Sequence, residues 1–360
     1  MISVRRLPGI PESWWDELAC RVRSPWQCRA MALVQQHFKS EPVFLIAEEA
    51  GRVLGGVCFY ISGSRRFPWL DPLFARTVLV PDEPAILERP DEVLPVLLQA
   101  VEDELAHLEV VAITWRAEMP RHLRPEDLAR RGYAVEPHGV GILELPSAVD
   151  DLDSRFHRSA RKQIRKAERL GVRIEIASGV EPLLPLLDRS FRRAGLPDRN
   201  HDYVRLTHEM LGGEVLVASR DGRNIAALLW AAFGETGLNI FHGRDDGTME
   251  GASNLLHREL LARAVGRGVK VLHTGGAALA GETDPRLLGI TRFKENMGFV
   301  VHPAFHARRI LRPLASAIRD TSLFLWSGHW SRRDKDKPTI HDGNLLDVRH
   351  SKPFRRKDDW

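Results

Sequence analysis

The chain repeats itself at an offset of about 170 residues, and this repeat restricts the possible folds more than any other feature. Residues 45–56 align with residues 216–227. In both copies an apolar run meets a polar turn closed by Gly-Arg, and a second apolar run follows. This pattern is typical of an antiparallel hairpin. The sequence therefore predicts two halves that share at least this unit.

The segments around each hairpin also follow one order. Helical spacing precedes both hairpins, and in the second half a basic helix from residue 154 ends at Gly171. Each hairpin is followed by a helix-period segment and an apolar strand, and then by a Gly-aromatic pair before a last strand (Gly132-Tyr133 and Gly298-Phe299). A length of 360 residues agrees with two domains. We place domains at residues 1–150 and 151–312, a C-terminal helix that packs back on the body at 313–330, and a basic flexible tail at 331–360.

Composition excludes several classes of protein. Hydrophobic residues make up 43% and charged residues 28%, as in ordinary globular proteins. The longest apolar stretch, residues 226–233, is far shorter than a membrane span, and the N-terminal residues do not resemble a signal peptide. The three cysteines lack a Cys-x-x-Cys spacing, which favours a reducing compartment and argues against a zinc site. We therefore expect a cytoplasmic protein with no membrane span.

The charge distribution and the absence of several motifs limit the possible functions further. The formal net charge is +4, and residues 331–360 hold nine Lys and Arg against six Asp, a weak indication of a polyanionic partner. The sequence contains no zinc-protease motif, nucleophile elbow, P-loop or dinucleotide fingerprint. No metal and no resident cofactor are predicted.

Three motifs in the second half resemble a known family. The order of helices and strands is that of the GNAT acyltransferase fold. SARKQIRKAERLGV (residues 159–172) resembles the basic helix that opens the second domain of Fem-type aminoacyltransferases, and GASNLL (residues 251–256) is similar to their Asn-x-Leu-Leu segment before a helix. GITRFKENMGF (residues 289–299) matches their Gly-x-x-x-Phe-Lys-x-x-x-Gly closing motif. The first half shows the fold pattern without these motifs.

The resemblance implies an α/β (α+β) fold made of tandem GNAT-like acyltransferase domains, each a mixed, mostly antiparallel sheet flanked by helices. It also implies an enzyme, a bacterial N-acyltransferase of EC class 2.3, with its active cleft in the second domain and the acceptor partly held by a degenerate first domain. Fem-type enzymes move an amino acid from its tRNA ester to an amine, usually on a peptidoglycan precursor. Relatives with the same closing motif are acetyl- or acyltransferases.

Residue roles follow from the matched motifs. The lysine of the closing motif lies beside the reacting carbonyl in the family, so the resemblance gives Lys294 the role of stabilising the oxyanion. Phe293 is expected to pack against the donor, and Glu295 to take the amine proton directly or through water. The guanidinium and ammonium groups on adjacent turns of the basic helix are suited to binding phosphate groups. The predicted substrate-binding residues are Arg161, Lys162, Arg165, Tyr203, His242, Asp245 and Arg292. The predicted donor-binding residues are Gly251, Ala252, Ser253, Asn254, Gly275 and Gly276, and Ser253 is expected to be a helix N-cap.

The sequence leaves more than one acyl donor possible. CoA-dependent GNAT enzymes carry Arg/Gln-x-x-Gly-x-Gly/Ala before the central helix, and here the pattern begins at Arg244 but fails at Met249. Asp245, Asp246 and Glu250 add negative charge where a polyanion would bind. Aminoacyl-tRNA is therefore the first donor, and an acetyl- or acyl-CoA-dependent enzyme acting on a sugar or metabolite amine is the alternative. A non-catalytic module that binds tRNA or an envelope precursor is the second alternative.

Overall fold

Both predicted hairpins are present in the computed structural model, which describes residues 1–63, 76–196, 199–245 and 251–316. One hairpin joins Glu41–Glu49 to Arg52–Ser62 and the other joins Glu214–Arg220 to Arg223–Phe233. The turn of the first places Ala50 and Gly51 at φ 49° and 79°, and the second turn repeats this with an Asp-Gly pair. Two consecutive left-handed residues match the right-handed twist of the flanking strands. The prediction of repeated hairpins is confirmed.

The helices and strands of the first half are β1 (Ser3–Arg6), α1 (Trp14–Arg21), α2 (Arg29–His37), β2 (Glu41–Glu49), β3 (Arg52–Ser62), β4 (Thr77–Val80), β5 (Ala85–Ile86), α3 (Pro90–Ala106), β6 (Ala112–Ala117), α4 (Pro125–Ala129) and β7 (Ala134–Glu144). Those of the second half are α5 (Leu152–Arg155), α6 (Arg158–Arg169), β8 (Arg173–Ala177), α7 (Leu184–Arg193), α8 (His201–Leu211), β9 (Glu214–Arg220), β10 (Arg223–Phe233), β11 (Thr236–Arg244), α9 (Ala252–Gly266), β12 (Val271–Ala277), α10 (Pro285–Asn296) and β13 (Val300–Ile310). The two halves repeat one order of elements.

The strands form one continuous sheet in which the halves exchange their last strands. The order is β1-β2-β3-β4-β6-β13-β7-β12-β11-β10-β9-β8, with β5 paired to β3. Strand β13 lies between β6 and β7, while β7 lies between β13 and β12. Phe305 of β13 therefore packs in the core of the first half, and Leu143 of β7 packs in the core of the second. Each half completes the sheet of the other.

Helices cover this sheet and connect its halves. The first half buries α3 against its sheet, and the second buries α9 together with α6. Helix α2 of the first half packs on α8 of the second, where the rings of Phe38 and Tyr203 are 5.4 Å apart. Residues 313–316 are helical and lie at the start of the segment for which a C-terminal helix is predicted. Its remainder and the tail at 331–360 lie outside the described residues.

Within the described ranges, no helix combines the length and the apolar character that crossing a bilayer requires.

Candidate active site

A cleft opens in the second half where two parallel strands separate. Strands β11 and β12 pair only from Thr236 to Leu238, opposite Val271 to His273. Beyond that point β11 continues to Arg244 and β12 to Ala277 without pairing to each other within the described residues. Backbone N–H and C=O groups on the two facing edges therefore lack their usual sheet partners and can bind a ligand.

A β-bulge shapes the β11 wall of this cleft. Phe241 pairs with Leu229 and Asn239 pairs with Trp230, so Ile240 between them has no partner on β10. A bulge re-aims the side chains beside it. Asn239 Nδ2 lies 3.2 Å from Nε2 of His257 on α9, and the ring of His242 lies 5.2 Å from the same imidazole. The bulge thus presents both side chains toward α9.

The first half is closed at the corresponding point. Strand β4 pairs with β6 over all four of its residues. The buried carboxylate of Glu83 accepts hydrogen bonds from the backbone N–H groups of Arg121, His122 and Leu123, at 2.8, 3.0 and 2.9 Å. These bonds tie the segment after β4 to the segment after β6. The described residues therefore contain a separated strand pair in the second half, where the motifs place the active cleft.

Lys294 anchors the β12 wall. Its ammonium Nζ donates to the carbonyl oxygens of Thr274, Gly275 and Gly276 at 2.9, 2.7 and 2.7 Å, and the residue is 7% exposed. Burial lowers the pKa of Lys294 to about 8, against the smaller raising effect of the Glu118 charge. All three N–H donors are engaged, so Lys294 fixes the backbone of the cleft and puts a positive charge in its wall.

Two glycines of β7 make room for this arrangement. A Cβ on Gly141 would lie 2.8 Å from Cδ of Lys294 and 2.7 Å from Oγ1 of Thr274. A Cβ on Gly139 would lie 2.9 Å from the carbonyl oxygen of Ala277. The Gly-x-Gly spacing in the last strand of the first half thus lets β12 and Lys294 approach closely. The first half contributes directly to the cleft wall.

The N-terminus of α9 lies beside the basic helix α6. Helix α9 begins at Ala252 with Gly251 as its N-cap, so the expectation that Ser253 is the N-cap is wrong. Gly251 has φ 95°, and a Cβ there would lie 2.1 Å from the carbonyl oxygen of Gln163 on α6. The first amide groups of α9 have no side-chain cap and carry the positive end of the helix dipole. They are placed to attract an anionic part of a donor.

Replacing Gly251 by Ala is expected to lower the free energy of unfolding by about 3 kcal/mol, because the new Cβ adds backbone strain to a clash with α6. Gly266→Ala is the matched control on the same helix, since its Cβ meets open space. That change is expected to raise the unfolding free energy by up to about 1 kcal/mol. Urea unfolding measures both, and equal stability of the Gly251→Ala and wild-type chains would contradict this helix packing.

The imidazoles at the cleft are neutral. Burial lowers the pKa of His242 to about 3, and burial with the charge of Lys294 lowers the pKa of His257 to about 4. His257 Nδ1 is 2.8 Å from the Ser253 carbonyl, which assigns its proton to Nδ1 and leaves Nε2 to accept from Asn239. Within the described residues, Asn239 Oδ1 and His242 Nε2 are buried without a hydrogen-bond partner. Both are available to orient a substrate amine.

The remaining predicted site residues are only partly brought together. Phe293 lies at the cleft with its ring 5.0 Å from that of His257, whereas Arg292 and Glu295 are exposed on other sides of α10. Lys162 and Arg165 are exposed on α6, while Arg161 is half-buried and donates to the Asp153 carbonyl at 3.1 Å. The structure therefore gives Glu295 no contact with the cleft residues described here.

Two predicted acceptor contacts have other partners. Tyr203 packs against Phe38 and Phe241, where α8 meets the first half. The carboxylate of Asp245 pairs with Arg189 at 2.6 Å and with Arg223 at 3.5 Å. These cations offset much of the negative charge that the sequence placed at this end of the cleft. Asp246 and Glu250 lie outside the described residues.

Sequence reasoning missed Asn239 and His257. His257 comes directly after GASNLL and lies on α9. Its position along the helix was a signal that its side chain is on the side facing β11. Asn239 is a polar residue between Leu238 and Ile240 in β11, and the sequence already showed this. The bulge that turns Asn239 toward His257 had no signature in the sequence.

Comparison with known proteins agrees with this geometry. Residues 154–295 match the acetyltransferase (GNAT) domain family. The structure of FemX aligns with a TM-score of 0.69 at 13% identity, covering 88% of this chain and 100% of FemX. The C-terminal domain of an Agrobacterium fabrum protein described as a lysylphosphatidylglycerol synthetase aligns with a TM-score of 0.56 at 15% identity, covering 87% of this chain and 98% of that domain.

A tandem GNAT protein from the clavulanic acid biosynthesis pathway aligns with a TM-score of 0.55 at 14% identity, covering 86% of this chain and 98% of that protein. Among curated protein sequences, none matches the chain. The predicted fold class is confirmed, and the closing motif predicted from sequence overlaps the matched domain. Residues 154–295 therefore match the acetyltransferase (GNAT) domain, and the chain as a whole shares its fold with FemX and with the tandem GNAT protein.

Proposed function

We propose that this acyltransferase moves an amino acid from aminoacyl-tRNA to the amine of a peptidoglycan precursor or metabolite, in the cleft between β11 and β12. The observation that carries the proposal is the meeting of three features at one place. The unpaired strand edges, the uncapped N-terminus of α9 and the basic helix α6 adjoin one another. An acyl ester fits between the strands, and the phosphates of its carrier fit the two helices.

The surface of α6 favours a large polyanion. The helix and the turn before it carry seven Lys and Arg between residues 155 and 169. Glu168 is the one acidic residue in that stretch, and it pairs with Arg258. Several of the basic side chains are exposed at successive turns, namely Arg155, Arg158, Lys162, Arg165 and Arg169. A row of cations of this length suits the repeated phosphates of an RNA chain better than a single small anion.

The proposed step is direct attack on the ester. The neutral amine adds to the ester carbonyl, the C–N bond forms, and the ester C–O bond breaks to leave the tRNA hydroxyl. The amine proton passes through water to the leaving tRNA oxygen and completes that hydroxyl. Backbone N–H groups on the unpaired edges and the charge of Lys294 stabilise the oxyanion. For Lys294 to donate directly to that oxyanion, one of its three carbonyl bonds must be exchanged.

Acyl-CoA is the second candidate donor, and the ion pairs of Asp245 support it. Asp245 is neutralised by arginine, so its charge opposes a pyrophosphate less than the sequence indicated. The names of the structural neighbours also include one that suggests each kind of donor. One is named for an aminoacylated lipid, lysylphosphatidylglycerol, and another is described in a form without AcCoA.

A transfer assay tests the proposal. The full chain is incubated with a mixture of charged tRNAs, or with acetyl-CoA, together with amino sugars and lysine-containing precursor peptides, and amide products are found by mass spectrometry. We expect an aminoacyl amide that requires charged tRNA. An acetylated product formed only with acetyl-CoA would replace the proposed donor by the second candidate. Salt-sensitive tRNA binding with no product from either donor would overturn the proposal.

The pKa of Lys294 predicts a pH profile. Deprotonation removes the positive charge and one N–H donor, so kcat is expected to fall as pH rises through about 8. Stability moves in the opposite direction. The pKa of Lys294 in the folded chain, about 8, lies below its usual 10.5. Between these two pH values the unfolded chain binds more protons than the folded chain, so the free energy of unfolding rises with pH. Measuring kcat and Tm from pH 6.5 to 9.5 checks both, and a kcat that rises across this whole range would contradict the role.

A further inference from the structure

A cluster of imidazoles and one carboxylate lies at the centre of the sheet, where the exchanged strands meet. His138 Nε2 is 3.6 Å from Oε2 of Glu118, and His306 Nε2 is 3.6 Å from Oε1. His273 Nε2 lies 3.8 Å from the same Oε2 as His138. Direct N–H···O hydrogen bonds measure about 2.7–3.2 Å, so these groups surround a carboxylate without approaching to bonding distance.

The strand register brings the cluster to one face. Ala304 lies opposite His138, and His306 lies opposite Arg116, two residues before Glu118. Because side chains on a strand alternate, His138 and His306 project from the same face, and Glu118, the first residue after β6, lies 3.6 Å from both. One ligand atom from each of these three residues lies within 4.8 Å of the other two. This convergence is a product of the strand exchange, because Glu118 and His138 belong to the first half and His306 to the second.

These distances fit a shared metal ion. Two ligand atoms held tetrahedrally at zinc bond lengths of about 2.0–2.1 Å lie about 3.4 Å apart. Each imidazole Nε2 lies 3.6 Å from one carboxylate oxygen, His138 from Oε2 and His306 from Oε1. Imidazole nitrogen and carboxylate oxygen are ligands that Zn²⁺ prefers. The three side chains are 18–21% exposed, so an ion can enter from solvent and keep one position for water.

His273 has a different part. Its Nδ1 accepts from the Gly275 amide at 3.3 Å, which assigns its proton to Nε2, the atom that faces Glu118. Its N–H therefore faces the carboxylate from 3.8 Å, and His273 is a positioning residue that acts on Glu118 through the electrostatic attraction between them. His273 is also the last residue of β12 that pairs with β11, so the cluster lies next to the start of the cleft.

We propose that Glu118, His138 and His306 form a binding site for one Zn²⁺ ion that joins the two halves beside the cleft, with His273 orienting Glu118. The site stands independently of the donor proposed above, because its residues are not those that would hold the tRNA.

Titration of the untagged, EDTA-treated full chain tests the site. Zn²⁺ is followed by competition with a chromophoric chelator, and Co²⁺ by its visible absorption. We expect one equivalent of either metal per chain and a Tm that rises on zinc addition. Glu118→Gln and His306→Gln are each expected to weaken binding by more than about 100-fold, and His273→Gln by about 10- to 100-fold.

His302→Gln is the matched control, because His302 is exposed on the same strand as His306 and lies outside the cluster. It is expected to bind zinc as the wild-type chain does. Circular dichroism establishes whether each variant is folded. A wild-type chain that takes up no stoichiometric zinc overturns the proposal without reference to any variant. Folded Glu118→Gln and His306→Gln chains that bind zinc as tightly as the His302→Gln chain would overturn it as well.

Discussion

Replacing Lys294 by Met is expected to lower kcat by about 100- to 1,000-fold, the range found for losing one group that stabilises an oxyanion. Methionine keeps much of the side-chain volume but removes the charge and the three N–H donors. The carbonyls of Thr274, Gly275 and Gly276 then lose their donor, and β12 loses the anchor that shapes the cleft. We also expect the free energy of unfolding to fall by about 2–4 kcal/mol, since removing a buried charge offsets part of the lost hydrogen bonding.

The control for this change is Lys270→Met, which alters an exposed lysine just before the start of β12, the strand whose other end Lys294 anchors. Lys270 is 64% exposed and pairs with Glu235 at the surface. Its replacement is expected to leave kcat and stability near the wild-type values, because exposed ion pairs contribute little. Circular dichroism and urea unfolding separate lost activity from lost fold. A folded Lys294→Met chain with nearly normal turnover would show that Lys294 neither stabilises the oxyanion nor shapes the cleft.

Reversing charge on α6 is expected to weaken tRNA binding strongly. The double change Lys162→Glu and Arg165→Glu removes two exposed cations from successive turns. Each lost phosphate contact lowers the slope of log affinity against log salt by about 0.7–0.9, so the slope should fall by about 1.5. Affinity at low salt is expected to drop about 10- to 100-fold. Filter binding at several salt concentrations measures both quantities.

Lys270→Glu supplies the matched charge change away from α6 and is expected to reduce affinity by far less. Acetyl-CoA binding in the double variant is a second comparison, because a small donor depends less on the length of the basic surface. Equal losses of tRNA affinity in the double variant and in Lys270→Glu would mean that tRNA responds to net charge alone. In that case α6 is a solvated helix face and the donor argument loses its main support.

Local structure was predictable where turn residues, helix-ending residues or a motif occurred together with the spacing of apolar residues. The Ala-Gly-Arg and Asp-Gly-Arg turns predicted both hairpins, because a tight turn with two consecutive residues at positive φ favours glycine at one of them. The basic helix also ends where expected, since Gly171 takes φ 73° after the last turn of α6. The closing motif located Lys294 and Phe293 on one helix, and both lie at the cleft.

The long-range pairing could not be read from the chain. Strands β7 and β13 have similar patterns, and nothing local distinguishes pairing within a half from exchange between halves. Glu118, His138 and His306 are far apart in sequence, so no ligand spacing pointed to them. The engagement of Lys294 by three carbonyls depends on the register shift in β12 between His273 and Gly276 and on Gly141 across the sheet, which are tertiary features.

The most direct test of the donor is a binding titration of the full chain with bulk aminoacyl-tRNA and, separately, with acetyl-CoA, each at two salt concentrations. We expect tRNA to bind tightly at low salt and to lose affinity steeply as salt rises, because α6 and the N-terminus of α9 contact phosphates. Acetyl-CoA is expected to show no saturable binding under the same conditions. Saturable acetyl-CoA binding together with weak, salt-insensitive tRNA binding would contradict the account and assign the cleft to acyl-CoA.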